Sequence, residues 1–388
     1  MRVTLTNVKD FNALEEMVDH FGCLDNGLDL KVLHYPLMSM LKEGEQIAEQ
    51  LGIIDYDDMF WLPNRWDLAP RSSDWIAIDE SQDVSPAALD LILKMRSPGG
   101  RMIWVGDKFQ AIFGFAGAMN DSLDQIIAAT NATVLPLSIS YRCPTSHIKL
   151  AQEIVPSIEA APGAIDGTVE YISYDKVHEV IAEGDLVISR CTAPAVKLCI
   201  ELIGKKIPAR VRGRDIGKAL TTIVKEVAAH PEFQFTPRHF GYYLREYQDT
   251  RIAKLMQKKN SESQIESLRD RIQGIWVCYE AFDCDNVLDF CAEIEQLFSD
   301  SRSSVMLSTV HRAKGLEERR VFILRPDQLP LRWKNQLDWQ LEQEFCLKYV
   351  ALTRAKEALY FVTDEKPIEV TPVDDEDEDE DEEKDIFF

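Results

Sequence analysis

Trp75-Ile76-Ala77-Ile78-Asp79-Glu80-Ser81-Gln82-Asp83 is the stretch on which the fold turns. Four apolar residues without alternation are the pattern of a strand covered on both faces, and this one runs straight into two acids. The same grammar recurs at Met102-Ile103-Trp104-Val105, which ends in Gly106-Asp107. It returns at Leu186-Val187-Ile188, Val305-Met306-Leu307, Val321-Phe322-Ile323-Leu324 and Leu359-Tyr360-Phe361-Val362. Helical spacing lies between the runs: after the cap candidate Thr145 come Ile148, Ala151, Ile154, Val155 and Ile158. Strand–helix alternation of this kind predicts an α/β fold with mainly parallel sheets.

Three regions depart from the rhythm. Residues 1–60 read as helical, and Pro63 to Pro70 ends them in a loop. Residues 216–300 repeat apolar positions at helical spacing (Ile265, Leu268, Ile272, Ile275, Tyr279; then Val287, Phe290, Cys291, Ile294, Leu297) and read as an all-helical insertion. From about Glu365 the chain is low-complexity acid and is expected to lack fixed structure.

Composition bounds the function. With 388 residues, 45% apolar and 28% charged, the chain has material for two or three cored domains, which excludes a wholly disordered chain and a disulfide miniprotein. The net charge is −23; Asp374 to Asp385, eleven acids and one lysine, carries −10 of it and leaves −13 on the rest. So acidic a body is no general nucleic-acid sponge, and any DNA contact has to be a local groove. The eight cysteines include no C-x-x-C pair, and Cys278, Cys284 and Cys291 fit no zinc spacing, so they read as buried thiols of a reduced, cytosolic chain. No N-terminal apolar segment and no run near the ~18 residues of a membrane span are visible, so cytoplasmic location without membrane contact is expected.

The chemistry sits where strands end, since ligands of an open α/β sheet bind at the carboxyl ends of its strands. Asp79 can hold Mg²⁺ there, and Glu80 can orient and deprotonate a water in phosphoryl transfer. A solvated acidic turn is the plainer alternative for a lone Asp-Glu. In Val105-Gly106-Asp107-Lys108-Phe109-Gln110-Ala111-Ile112-Phe113-Gly114-Phe115, Gln110 can bond a terminal phosphate or the attacking water. Phe113 and Phe115, in a Gly/Ala-rich loop, suit base stacking if exposed and core packing if turned inward.

These two stretches, in this order, resemble the UvrD/Rep-like superfamily 1 DNA helicases, and the resemblance continues. Leu137-Ser138-Ile139-Ser140-Tyr141-Arg142-Cys143-Pro144 looks like the family's L-x-x-N-Y-R-S. Ser308-Thr309-Val310-His311-Arg312-Ala313-Lys314-Gly315-Leu316-Glu317 looks like T-x-H-x-A-K-G-L-E, and Tyr349 to Lys356 reads Y-V-A-L-T-R-A-K. Asp55-Tyr56-Asp57-Asp58-Met59 resembles the D-F-D-D segment that precedes the Asp-Glu motif. The resemblance implies Asp79 on Mg²⁺, Glu80 as catalytic base, Gln110 as sensor of the terminal phosphate, Tyr141 stacked on adenine and Glu317 on the ribose. It implies Arg142 and Arg354 as arginine fingers, and Phe113, Phe115, Thr309 and His311 on single-stranded DNA. It further implies RecA-like architecture: 1–70 a helical accessory remnant, 71–140 a partial first RecA-like domain, 141–215 with 300–364 a second, 216–299 a helical insertion, and 365–388 the tail.

Departures qualify the resemblance. Gly114 and Ala116 stand where the family usually has Arg, Ser140 replaces Asn, and Phe345-Cys346 replaces an Arg pair. The phosphate cradle G-x-x-x-x-G-K-[ST] does not occur: Gly204-Lys205 and Gly217-Lys218 both follow Asp79 and neither precedes Ser or Thr. The expectation is therefore the later portion of an ATP-dependent 3′–5′ DNA helicase or translocase of bacterial or phage-infected cytosol. It would use ATP and Mg²⁺ on single-stranded DNA, and it would need a separate N-terminal helicase half that brings the cradle. Residues 71–140 should be unstable alone, because a sheet without that half exposes apolar edges. A truncated chain, and a non-catalytic remnant that binds single-stranded DNA or replication and repair proteins, stand as alternatives. The ending Glu383-Lys384-Asp385-Ile386-Phe387-Phe388 resembles the acidic, Phe-ended tails of single-stranded DNA-binding proteins, which implies docking on a replication or repair partner; a merely solvating tail is the alternative.

Overall fold

The computed structural model describes residues 1–21, 29–112, 122–257, 261–298 and 305–363. Phe113, Phe115, Gly114, Ala116 and the acidic tail with Ile386-Phe387-Phe388 lie outside the described residues. Contacts divide the chain into two compact units. The first comprises 1–166, 254–263 and 327–353, and the second 167–253, 264–326 and 354–388.

The first unit holds a small parallel sheet, β1 (Ser73–Ile78) beside β2 (Arg96–Trp104), with Ile78 opposite Trp104. Ser85 accepts from the Ala88 N–H and Pro86 follows at the first helical position, so the helix Pro86–Lys94 starts between the two strands. Trp75 (62% exposed) and Ile103 (49%) leave one face of this sheet open, which a parallel sheet rarely tolerates. The helix Asp58–Arg65 runs through Pro63 where the sequence predicts a loop. The helix ends two residues after Pro63, and the Leu68 N–H donates to the Pro63 carbonyl at 2.9 Å in the turn that closes it. Arg2 ties the acidic turn before that helix, reaching Asp55 at 2.8 Å, Asp57 at 3.3 Å and Asp58 at 2.7 Å.

A two-residue pair, β3 (Ile139–Ser140) with β4 (Glu159–Ala160), flanks the helix Thr145–Ala151. The predicted helix through Ile158 stops early because Pro156 disfavours a helical Val155. Its apolar residues still pack: Cys143, Ile148, Ala151, Val155 and Ile158 form one cluster with Tyr349 from the helix Asp338–Leu352. That cluster draws 141–166 and 327–353 into the first compact unit, so by contacts the units part at 166/167, whereas the sequence reading drew its boundary at 140/141.

The second unit is built on a six-stranded, all-parallel sheet. Its strands are β5 (Thr168–Ser173), β6 (Leu186–Ser189), β7 (Ala209–Val211), β8 (Val305–Thr309), β9 (Glu318–Leu324) and β10 (Ala355–Thr363). Their order is β5-β10-β9-β6-β8-β7. All six apolar runs named above are thus strands, two in the first unit and four here. Leu186, Val187, Ile188, Val305, Leu307, Val321, Phe322, Leu359 and Val362 are fully enclosed, as continuous apolar strands require. Four helices fill the stretch read as insertion: Arg214–Ala228, Pro237–Leu255, Glu262–Ala281 and Val287–Leu297. They pack an aromatic core in which Phe290 meets Phe240 at 5.6 Å and Tyr279 at 5.8 Å. Cys278 and Cys291 are buried in this core, and burial pushes both thiols up. Among the described residues no helix is long and apolar enough to cross a membrane.

Candidate active site and nucleic-acid interface

The carboxyl ends of β1 and β2 bring three of the expected residues together. β1 ends at Ile78, and Glu80 then takes a left-handed conformation (φ 51°, ψ 40°), uncommon outside glycine, which turns the chain sharply after Asp79. Asp79 is exposed and its Oδ1 accepts from the Glu80 N–H at 2.9 Å. Gln82, 2% exposed, then joins the two strand ends. Its Nε2 donates to Glu80 Oε2 at 2.5 Å, and its Oε1 accepts from the Asp107 N–H at 3.0 Å. Asp107 in turn receives Gln110 Nε2 on Oδ2 at 2.9 Å and the Phe109 N–H on Oδ1 at 3.0 Å. Glu80, Gln82, Asp107 and Gln110 therefore form one hydrogen-bonded chain across the strand ends. Gly106 permits it, since a Cβ there would fall 2.7 Å from Gln82 Oε1.

Gln82 was quoted in the sequence without a role. The signal in the sequence is an amide two residues after Glu80, but only the pairing of the strands reveals what it spans. Among the described residues no cluster of three or more His, Cys, Asp or Glu could hold a metal. A single exposed carboxylate such as Asp79 is compatible with Mg²⁺, a hard cation that keeps most of its shell as water and phosphate oxygen.

Tyr141 (84% exposed) and Arg142 follow β3 on the same unit's surface. Phe345 and Cys346, the residues standing for an Arg pair, line a cavity of about 450 Å³ with Lys108, Phe109, Glu153 and Glu342.

The second unit gathers Thr309, His311, Glu317 and Arg354 around β8 to β10. Thr309 closes β8 and is 8% exposed. His311 lies in the short helix Val310–Ala313; its residue is partly exposed but its ring is enclosed, and burial together with Arg190 and Arg312 pulls the imidazole down to about 3. Arg312 pairs with Asp215, and Gly213 (φ 129°) passes so close that a Cβ would lie 3.2 Å from Arg312 Nε. Glu317 pairs with Lys356 at 3.1 Å. Arg354 is only 1% exposed, with Nη1 donating to the Leu316 carbonyl at 3.4 Å. The resemblance implies an arginine finger there, and the motif by itself does not disclose that the side chain is enclosed.

The family profile described as the UvrD-like helicase C-terminal domain matches residues 36–366. The chain is 42% identical over 85 residues to a probable DNA helicase II homolog of Mycoplasma pneumoniae, a match over 20% of this chain and 12% of that protein. It is 24% identical over 314 residues to F-box DNA helicase protein 1 of Schizosaccharomyces pombe, covering 74% of this chain and 33% of that one. It is 31% identical over 118 residues to the putative ATP-dependent DNA helicase YjcD of Bacillus subtilis, covering 27% and 15%. The matches span a third or less of the length of these relatives. Parallel sheets, five motifs in order and a profile match over most of its residues together make this chain a member of the UvrD-like helicase C-terminal domain family.

Proposed function

We propose that the chain is the later portion of a superfamily 1 DNA helicase or translocase that hydrolyses ATP while moving 3′ to 5′ on single-stranded DNA. The observation that carries this reading is the chain Glu80–Gln82–Asp107–Gln110 across the carboxyl ends of β1 and β2. It fixes a carboxylate and an amide at the edge where an α/β sheet takes its ligand.

In this reading Asp79 holds Mg²⁺, whose chemistry when bound is to neutralise charge on the phosphates. Glu80 accepts a proton from the attacking water, and Gln82 aims its carboxylate. Gln110, tethered by Asp107, meets the terminal phosphate. Tyr141 offers an exposed ring to adenine and Glu317 an acceptor to the ribose. Arg142 and Arg354 supply the cations that stabilise developing charge. Arg354 is enclosed beside Leu316, so its use requires that turn to open. Thr309 and His311 meet single-stranded DNA in this reading only if their turn opens, since Thr309 is 8% exposed and the His311 ring is enclosed, and Phe113 and Phe115 stack on its bases.

The reading needs a phosphate cradle, and no stretch of these residues has the G-x-x-x-x-G-K-[ST] pattern. We infer that residues outside these 388 bring it, on the same or on a second polypeptide, and that the segment Ile386-Phe387-Phe388 docks on a replication or repair protein. The test is DNA-stimulated ATP hydrolysis by the chain alone and with a candidate cradle-bearing polypeptide, with Glu80→Gln as control. Activity only in the mixture, lost in Glu80→Gln by at least ~10³-fold, is expected. Activity of the chain alone, lost in Glu80→Gln, overturns the need for a second piece. No activity in either mixture with DNA binding retained favours a binding module.

A further inference from the structure

The helix Thr192–Gly204 begins without a local side-chain cap, since Cys191 supplies none. A carboxylate 78 residues away caps it instead. Asp270, on the helix Glu262–Ala281, accepts the Thr192 N–H on both oxygens at 2.8 and 2.9 Å and the Ala193 N–H at 2.9 Å. Part of the Asp270 residue remains exposed, but its carboxylate is desolvated: burial pushes it up, against the backbone bonds and Arg190, which pull it down.

Arg190 links this cap to the other strand ends. It stands two residues before Thr192 and directly after Ser189, which is paired with Thr309 across β6 and β8. The short helix Val310–Ala313 packs on β6 at that end. The Arg190 backbone thus lies between the N–H groups that Asp270 holds and the strand end that leads into His311, and its charge acts on both side chains.

We infer that Asp270 is a positioning residue: from the helical stretch it holds Arg190 and the start of the Thr192 helix against the His311–Arg312 turn. The consequence for nucleic acid rests on the function proposed above: Arg190 meets a phosphate of the single strand only while Asp270 holds it. Simple electrostatics makes the opposite forecast. Asp270 is a negative charge near an arginine, and removing it should tighten the grip on a polyanion. The sign of the effect separates positioning from plain charge.

The experiment uses the full chain with fluorescein-labelled oligo(dT). Asp270→Asn is expected to weaken binding about tenfold, the order of one charge-assisted contact, and to flatten the log K against log[salt] slope by about 0.7, one phosphate's worth. In an Arg190→Ala background Asp270→Asn should add nothing, because it acts through Arg190. Unchanged or tighter binding, or full additivity with Arg190→Ala, overturns the inference.

A second measurement needs no DNA. NMR of the His311 ring should report a raised titration midpoint in Asp270→Asn, and Arg190→Ala should reproduce it. A still ring in both variants overturns the inference. Should Asp270→Asn unfold, Arg190→Ala leaves the three backbone bonds in place and tests the same link. If the wild type binds no oligo(dT) while the His311 ring moves as described, the strand reading fails and the positioning role stands.

Discussion

His311 makes acid stability a direct test of the geometry at the end of β8. Its imidazole takes a proton at an ordinary 6.5 in the unfolded chain, but only at about 3 in the folded one, because burial, Arg190 and Arg312 all oppose the charge. Between those values the unfolded chain binds one proton more, so stability falls as pH drops through 6.5, by at most ~1.4 kcal/mol per pH unit. From about pH 6.5 to 4.5 the limit is ~2.7 kcal/mol; the residue's partial exposure screens the charges and lowers the expectation to about 2 kcal/mol. The perturbation is His311→Gln, which keeps a polar side chain and removes the titration. Wild type and variant are unfolded with urea at pH values between about 8 and 4.5, and the transition is read by hydrogen exchange on peptides covering β6, β8 and β9. Carboxylates common to both proteins cancel in the comparison. The variant should lose about 2 kcal/mol less than wild type across that window. Parallel pH profiles would refute the enclosure of the ring and the action of the two arginine charges on it.

Two further outcomes follow from packing. Gly106→Ala places a methyl 2.7 Å from Gln82 Oε1 and should break the Gln82 bond to Asp107; steady-state kinetics of the hydrolysing assembly should show kcat down about tenfold or more with a smaller change in KM, and an unaltered kcat refutes the role of that chain. Phe290→Ala, fully enclosed among Phe235, Phe240 and Tyr279, should cost the second unit about 3–5 kcal/mol, measurable as a shift in its urea midpoint at constant m.

The strands and the motifs were legible in the sequence, because each is a local property. An uninterrupted apolar run can only be a strand buried on both faces or part of a buried helix, and acids or glycine at its end mark the turn. That is why β1, β2, β6, β8, β9 and β10 could be read before any coordinates, and why Asp79, Glu80 and Gln110 could be named. Helix ends were less legible: Pro63 sits inside a helix, and before Pro156 a regular helix gives way to turns whose last helical bond runs from Val155 N–H to the Ala151 carbonyl, while the apolar pattern continues in packing. Order within the sheet could not be read at all. Nothing local places β10 between β5 and β9, since its pairing with β5 spans more than 180 residues of sequence.

The sequence by itself determined the α/β class, the order of motifs and the residue types at each strand end. Only the tertiary structure decided which of those residues act on one another. Gln82 joins Glu80 to Asp107 because β1 and β2 pair in parallel. Arg354 is enclosed, and its guanidinium donates to the carbonyl of Leu316, 38 residues earlier. Asp270 caps a helix that begins 78 residues before it. Hydrogen bonds and desolvation depend on distance in space, and chain separations of this size leave no trace in local pattern.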